Sequence, residues 1–214
     1  MRVAIVDYGS GNLCSAEKAF EKAGREHATN VAVVVTSDAD VVAKADRVVL
    51  PGVGAFADCR RGLGAVDGMV DALAEVALEK AQPFLGICVG MQLLAERGLE
   101  YGTHDGLGWI GGEVRAIETG DPRRKVPHMG WNALDVAESP ANLFAGIDEG
   151  SFVYFVHSYG FVPTDPAHVM ATVDYGPTIV AALGRDNIVG TQFHPEKSQG
   201  VGLNFIANFL AWSP

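Results

Sequence analysis

The sequence predicts an α/β fold: an open mixed, mainly parallel sheet with helices on both faces, in a single domain over residues 1–214. Three observations carry this expectation. Short β-branched runs alternate with amphipathic stretches through the first half of the chain. Those runs are continuous rather than alternating, the pattern of strands buried on both faces. Hydrophobic residues make up 48% of the chain, enough to cover such a sheet. Strand, helix, strand in succession calls for right-handed crossovers and hence parallel neighbours.

Residues 3–6 form the first run, ending at Asp7 and a glycine-rich turn. Leu13, Ala16, Ala19, Phe20 and Ala23 follow at helical spacing, with Gly24 as the stop. Residues 31–35 read as the second strand and 47–50 as the third, broken by Pro51-Gly52. A long helical region over 65–80 leads to the strand Phe84–Cys88, and a helix over 89–97 ends at Gly98. Beyond it the character changes. Runs at 151–162, 168–173, 178–183 and 188–193 read as strands separated by Gly, Pro and Asp turns, an antiparallel or mixed addition to the same sheet. A last helix over 202–212 docks through Phe205, Ile206, Phe209 and Leu210. There is no internal repeat or linker.

Composition excludes several classes. With 16 basic and 26 acidic residues the net charge is −10, so no nucleic acid is expected as a partner. No membrane span is expected, because the longest uncharged stretch, 81–95, is interrupted by Pro83, Gly86, Gly90 and Gln92. The first residues lack the basic and apolar regions of a secretory signal. Three cysteines, at 14, 59 and 88, have no CxxC spacing, which points away from a disulfide framework or a metal site and toward a reducing cytoplasm.

Two segments imitate dinucleotide fingerprints. Gly106-Leu-Gly-Trp-Ile-Gly111 follows no clear strand and puts bulky residues where pyrophosphate would approach. Gly52-Val-Gly-Ala-Phe-Ala57 opens behind Pro51, and no strand with a terminal acid follows at the right distance. No cofactor is expected.

The chemistry concentrates elsewhere. In Pro83-Phe-Leu-Gly-Ile-Cys88-Val-Gly-Met-Gln92 an apolar strand ends at a cysteine, with glycine two residues to either side and a helix at once. That is a nucleophile elbow with sulfur in place of oxygen. A helix N-terminus favours thiolate and offers N–H groups to an oxyanion. The segment alone is equally compatible with a buried structural cysteine; Cys14 and Cys59 lack such a setting and read as structural. Thr191-Gln-Phe-His194-Pro-Glu196 supplies a base and an orienter at another strand end, where an open α/β sheet gathers its site.

Together, Gly86-Ile-Cys-Val-Gly-Met-Gln92 and Gln192-Phe-His-Pro-Glu196 resemble the class I glutamine amidotransferase family, flavodoxin-like in fold, with a Cys, His, Glu triad in that order. Asp7-Tyr-Gly-Ser-Gly-Asn-Leu13, Pro51-Gly-Val-Gly-Ala-Phe56, Pro127-His-Met-Gly-Trp-Asn132 and Tyr154-Phe-Val-His-Ser-Tyr159 narrow the likeness to members that serve histidine biosynthesis, across essentially the whole chain. Val89 stands where leucine is commoner in the family, which leaves its N–H in place.

The resemblance implies glutamine hydrolysis through a thioester on Cys88, with His194 shuttling protons and Glu196 orienting it. It implies an oxyanion hole from the N–H of Val89 and from Gly52, Val53 and Gly54, with Val53 the donor. It assigns Gln92, His157, Ser158 and Tyr159 to glutamine, although a structural role for His157 stays open. It implies a heterodimer with a (β/α)8-barrel cyclase, which takes the ammonia and forms imidazole glycerol phosphate and an aminoimidazole carboxamide ribotide. His27, His104 and His168 are expected to face solvent. A peptidase-like cysteine protein and a non-catalytic binding module are the competing readings; the first does not need His-Pro-Glu, and in the second Cys88 is inert.

Overall fold

The computed structural model describes residues 1–27, 30–137 and 142–214. From the N-terminus the chain forms β1 (Arg2–Val6), α1 (Leu13–Glu26), β2 (Ala32–Thr36), α2 (Ala39–Ala43), β3 (Arg47–Gly52), α3 (Phe56–Ala65), α4 (Met69–Ala74), β4 (Phe84–Cys88) and α5 (Val89–Gln92). It continues through β5 (Arg97–Gly98), β6 (His104–Asp105), β7 (Gly112–Ala116), β8 (His128–Ala133), β9 (Asp135–Val136), β10 (Phe152–His157) and β11 (Tyr159–Pro163). The last elements are β12 (Val169–Asp174), β13 (Thr178–Arg185), β14 (Ile188–Thr191) and α6 (Gln199–Ala211).

The main sheet has the order β2-β1-β3-β4-β14-β13-β12-β9. The strands from β2 to β14 are parallel neighbours, and β13, β12 and β9 extend the sheet antiparallel. This is the mixed, mainly parallel sheet that the sequence predicts. Burial explains the continuous apolar runs: Val3, Ala4, Ile5 and Val6 are inaccessible to solvent, and every residue of β4 is buried. Helices α1 and α6 pack together on one face, where Phe20 meets Phe209 edge to face. Arg47, at the start of β3, donates to the carbonyls of Phe209, Leu210 and Trp212 and so satisfies the end of α6.

Four expectations are corrected. The helix expected over 65–80 begins earlier, as α3; it breaks at Val66–Gly68, where Gly68 has φ +66°, and resumes as α4 with a π-helical turn, Glu75–Glu79. The helix expected over 89–97 lasts only from Val89 to Gln92. Its continuation is taken over by the 106–110 loop, whose N–H groups bond to the carbonyls of Leu93, Leu94 and Ala95. Gly106 is required for that wrap, since a Cβ there would overlap the Ala95 carbonyl; the glycines of the first apparent fingerprint thus serve a backbone contact. The run 151–162 is two strands, β10 and β11, interrupted at Ser158. Finally, only part of the second half joins the main sheet: β8 and β10 pair apart from it, and β11, β7, β5 and β6 form a small sheet of their own. Strands β5 to β8 lay outside the sequence reading, being short or only partly apolar.

Candidate active site

Cys88 ends β4 and caps α5 with φ +54° and ψ −111°, a conformation that costs a non-glycine residue ~1–3 kcal/mol. The surroundings that impose it are backbone. A Cβ on Gly86 would lie 2.6 Å from the carbonyl oxygen of Gly90, and one on Gly90 would overlap the Leu50 carbonyl of β3. Helix α5 therefore sits directly on β3 and β4, and the turn between strand and helix is forced to be tight.

His194 reaches the same edge of the sheet because β14 runs parallel to β4, with Thr191 opposite Ile87. Its backbone is held on both sides: its N–H donates to the Tyr154 carbonyl at 3.0 Å, and its carbonyl accepts from Ser198 Oγ at 2.7 Å. Its Nδ1 lies 2.8 Å from Glu196 Oε1, and both side chains are almost wholly buried. The carboxylate only accepts, so Nδ1 carries the proton and Nε2 is left for the thiol side. Burial by itself would push the His194 pKa down; the sulfur of Cys88 and the Glu196 carboxylate outweigh it and hold the imidazole up at about 9. Among the described residues, Nε2 and Glu196 Oε2 have no hydrogen-bond partner of their own.

A pocket of about 320 Å³ opens on these groups. Cys88, Val89 and His194 line it, as do Gln92, His157, Ser158 and Tyr159, and Val53 and Gly54 are also on its wall. Glu196 and Gly52 are not on its wall. Glu196 stands behind His194, and Gly52 pairs with Cys88 in the β3–β4 register. A Cβ on Gly52 would lie 2.7 Å from the Tyr8 hydroxyl and 2.8 Å from the Gly90 nitrogen.

The strand after β3 is not aimed at the pocket. The Val53 N–H donates to Ser10 Oγ at 3.0 Å, and the Ser10 hydroxyl donates to the Val53 carbonyl at 2.7 Å. Cys59 also donates to that carbonyl, at 3.3 Å. Cys59, read from sequence as merely structural, is thus a partner of this strand, and burial pushes its thiol up.

His157 lines the pocket, yet both its nitrogens are engaged inside the protein, with the Tyr159 carbonyl at 2.8 Å and His128 at 2.9 Å. Gln92 donates to the Tyr159 carbonyl and to Gln192 Oε1, both at 3.0 Å; Gln192 Nε2 in turn reaches the Cys88 sulfur at 3.6 Å. Sequence reasoning gave no role to Gln192, Ser10, His128 or Glu100, whose side chain lines the pocket and accepts from the Phe56 N–H at 2.7 Å. The first three lay within quoted segments, but their partners are distant in sequence. His27 is exposed as expected, whereas His104 and His168 are half-buried.

The chain is 64% identical over 214 residues, the full length of both, to a Rhodospirillum rubrum protein named imidazole glycerol phosphate synthase subunit HisH. It is 58% identical over 217 aligned positions to the protein of that name from Brucella melitensis, again over the whole of each chain. A solved glutamine amidotransferase structure superposes with a TM-score of 0.72 at 15% identity, covering 97% of this chain and 98% of the other, which speaks to the fold. The family model for class I glutamine amidotransferases matches residues 4–212, from β1 to the end of α6, and the chain belongs to that family.

Proposed function

We propose that the pocket holds glutamine and that the chain is the glutaminase subunit of an imidazole glycerol phosphate synthase. The observation that carries this reading is the meeting of Cys88 and His194 at one pocket, with the buried Glu196 bonded to His194 behind it, in a chain that shares most of its sequence with relatives of that name. The Cys88 thiol gives its proton to His194 Nε2 as its sulfur attacks the side-chain amide carbon of glutamine, and His194 passes that proton to the departing nitrogen, which leaves as ammonia as the C–N bond breaks. Water then attacks the thioester, His194 takes its proton, and glutamate and the thiol are released. Glu196 keeps Nδ1 protonated so that Nε2 faces the reacting atoms. The Glu100 carboxylate and the Gln92 carbonyl oxygen suit the α-ammonium group of the substrate.

The oxyanion receives the Val89 N–H at the start of α5. A second donor from Val53 requires its peptide to turn away from Ser10. The partner that brings this about is a (β/α)8-barrel cyclase, which receives the ammonia. Exposed apolar groups near the pocket support a docked partner: Met129 and Trp131 project from β8, and Tyr101 is 93% exposed beside Glu100. A cytoplasmic setting accords with this pathway; among the described residues no helix is long and apolar enough to cross a membrane.

Ammonia release from glutamine, measured with the chain alone and with a cyclase subunit and its nucleotide substrate, tests the reading. The expected result is a slow basal rate, a large stimulation by the partner, and no activity for Cys88→Ala in either case. Full activity from the chain alone, unchanged by partner and nucleotide, would overturn the subunit reading and leave a glutaminase that works without a partner.

A further inference from the structure

Beneath the glutamine pocket runs a line of buried polar groups that the triad does not use. His157 Nδ1 faces the Tyr159 carbonyl, which can only accept, so this nitrogen carries the proton. His157 Nε2 is then a lone pair, and the neighbouring His128 Nδ1 must donate to it. His128 Nε2 in turn becomes an acceptor, and Asn132 Nδ2 stands 3.3 Å away to fill it. The orientation of Asn132 is fixed independently, because its Oδ1 accepts from the Ala133 N–H and its Nδ2 also donates to the Asp174 carbonyl. Every proton in the series has one place, and both imidazoles are neutral. Burial agrees, pushing both histidines down to about 4. The His128 ring is clamped as well, stacked on Phe155 with centroids 4.7 Å apart and covered by Tyr175 at 4.0 Å.

The far end of the series is the pocket. The Tyr159 carbonyl accepts from His157 and from Gln92, which uses both its lone pairs. With its other N–H on Gln192, the Gln92 amide has only its oxygen to offer a ligand. The near end is β8. His128 is buried and Asn132 half-buried on one side of this strand, while Met129 and Trp131 are exposed on the other.

We propose that His128 is a positioning residue for glutamine: through His157 it fixes the Tyr159 carbonyl and thereby the Gln92 oxygen, tying the glutamine subsite to the strand that carries Met129 and Trp131. The proposal rests on the glutaminase reading above. It predicts a change in substrate affinity with little change in the chemical step, since the series meets the substrate through the Gln92 oxygen and none of its members belongs to the triad.

The test uses steady-state glutamine hydrolysis by the complete complex of chain, cyclase and nucleotide. His128→Ala leaves His157 Nε2 unpaired and is expected to raise KM for glutamine about tenfold with kcat nearly unchanged. In His128→Asn the amide nitrogen falls where Nδ1 was and restores the donor, bringing KM back to within about threefold of the parent. In His128→Gln the amide lies too far out and does not restore it. Nitrogen-15 NMR of labelled histidines in the unaltered chain adds a reading free of any folding defect: both rings are expected as neutral Nδ1–H tautomers. A parent complex that hydrolyses glutamine while all three variants share its KM overturns the proposal alone, and so does an Nε2–H tautomer at His157. A loss confined to kcat counts against it in the same way. A parent complex with no glutaminase activity overturns the underlying reading instead.

Discussion

At the scale of single residues, the buried imidazole of His194 leaves a thermodynamic trace. Its pKa is raised in the fold to about 9, so the protonated form is stabilised there relative to the unfolded chain, where it titrates near 6.5. The corresponding stability is fully present below about pH 6.5 and is lost as the pH rises through about 9. Glu196→Gln removes one source of that shift. Denaturation at a series of pH values should show the largest loss in this variant near pH 6 and a much smaller one above pH 9; a loss that grows with pH contradicts the assignment. Activity of Glu196→Gln should fall less than that of His194→Ala, because an orienting carboxylate acts through tautomer and geometry. The triad residues were legible because each sits in a local signature, an elbow or a strand end. Ser10, His128 and Gln192 were not: their roles come from partners 43, 29 and 104 residues away along the chain, which no local spacing reveals.

At the scale of elements, the segment from Gly52 to Gly54, at the end of β3, is where the proposed activation would act. Ser10 accepts from the Val53 N–H, which keeps the Gly52–Val53 peptide turned from the pocket, and donates to the Val53 carbonyl, which holds the next peptide. Ser10→Ala removes both at once. The basal glutaminase rate of the isolated chain should then rise, about threefold to tenfold, with little change in the rate stimulated by the partner. Ammonia release without partner measures this; an unchanged or lower basal rate would mean that the serine holds nothing back. Gly52 is a poorer probe of the same strand, because any side chain there meets Tyr8 and the Gly90 nitrogen and disturbs the elbow itself. Helix ends were the least legible elements. The α5 pattern continues in sequence past Gln92, but the 106–110 loop claims the carbonyls that a longer helix would need. Strands such as β1 and β4 were plain because burial on both faces leaves continuous apolar runs, whereas β7 is broken by Glu113 and Arg115 and β8 has exposed Met129 and Trp131 on one face.

At the scale of the whole molecule, the site and the exposed apolar residues lie together. Trp131 is 46% exposed and packs edge to face on Tyr154, whose ring lies under the Lys197 ammonium. Trp131→Ala should weaken the complex with the cyclase, by tenfold or more if it is an anchor of the kind that dominates interfaces, while leaving the unfolding midpoint of the isolated chain nearly where it was. Titration of the two subunits measures the first and thermal denaturation the second. Wild-type affinity in the variant would place the docking surface elsewhere. The glycines around the nucleophile have a consequence of another kind. Gly52, Gly86 and Gly90 bring β3, β4 and α5 into backbone contact, with no room for a methyl group at any of the three. Their positions therefore hold almost no information that selection could rewrite: a library randomised at all three and selected for glutamine-dependent growth should return glycine at each.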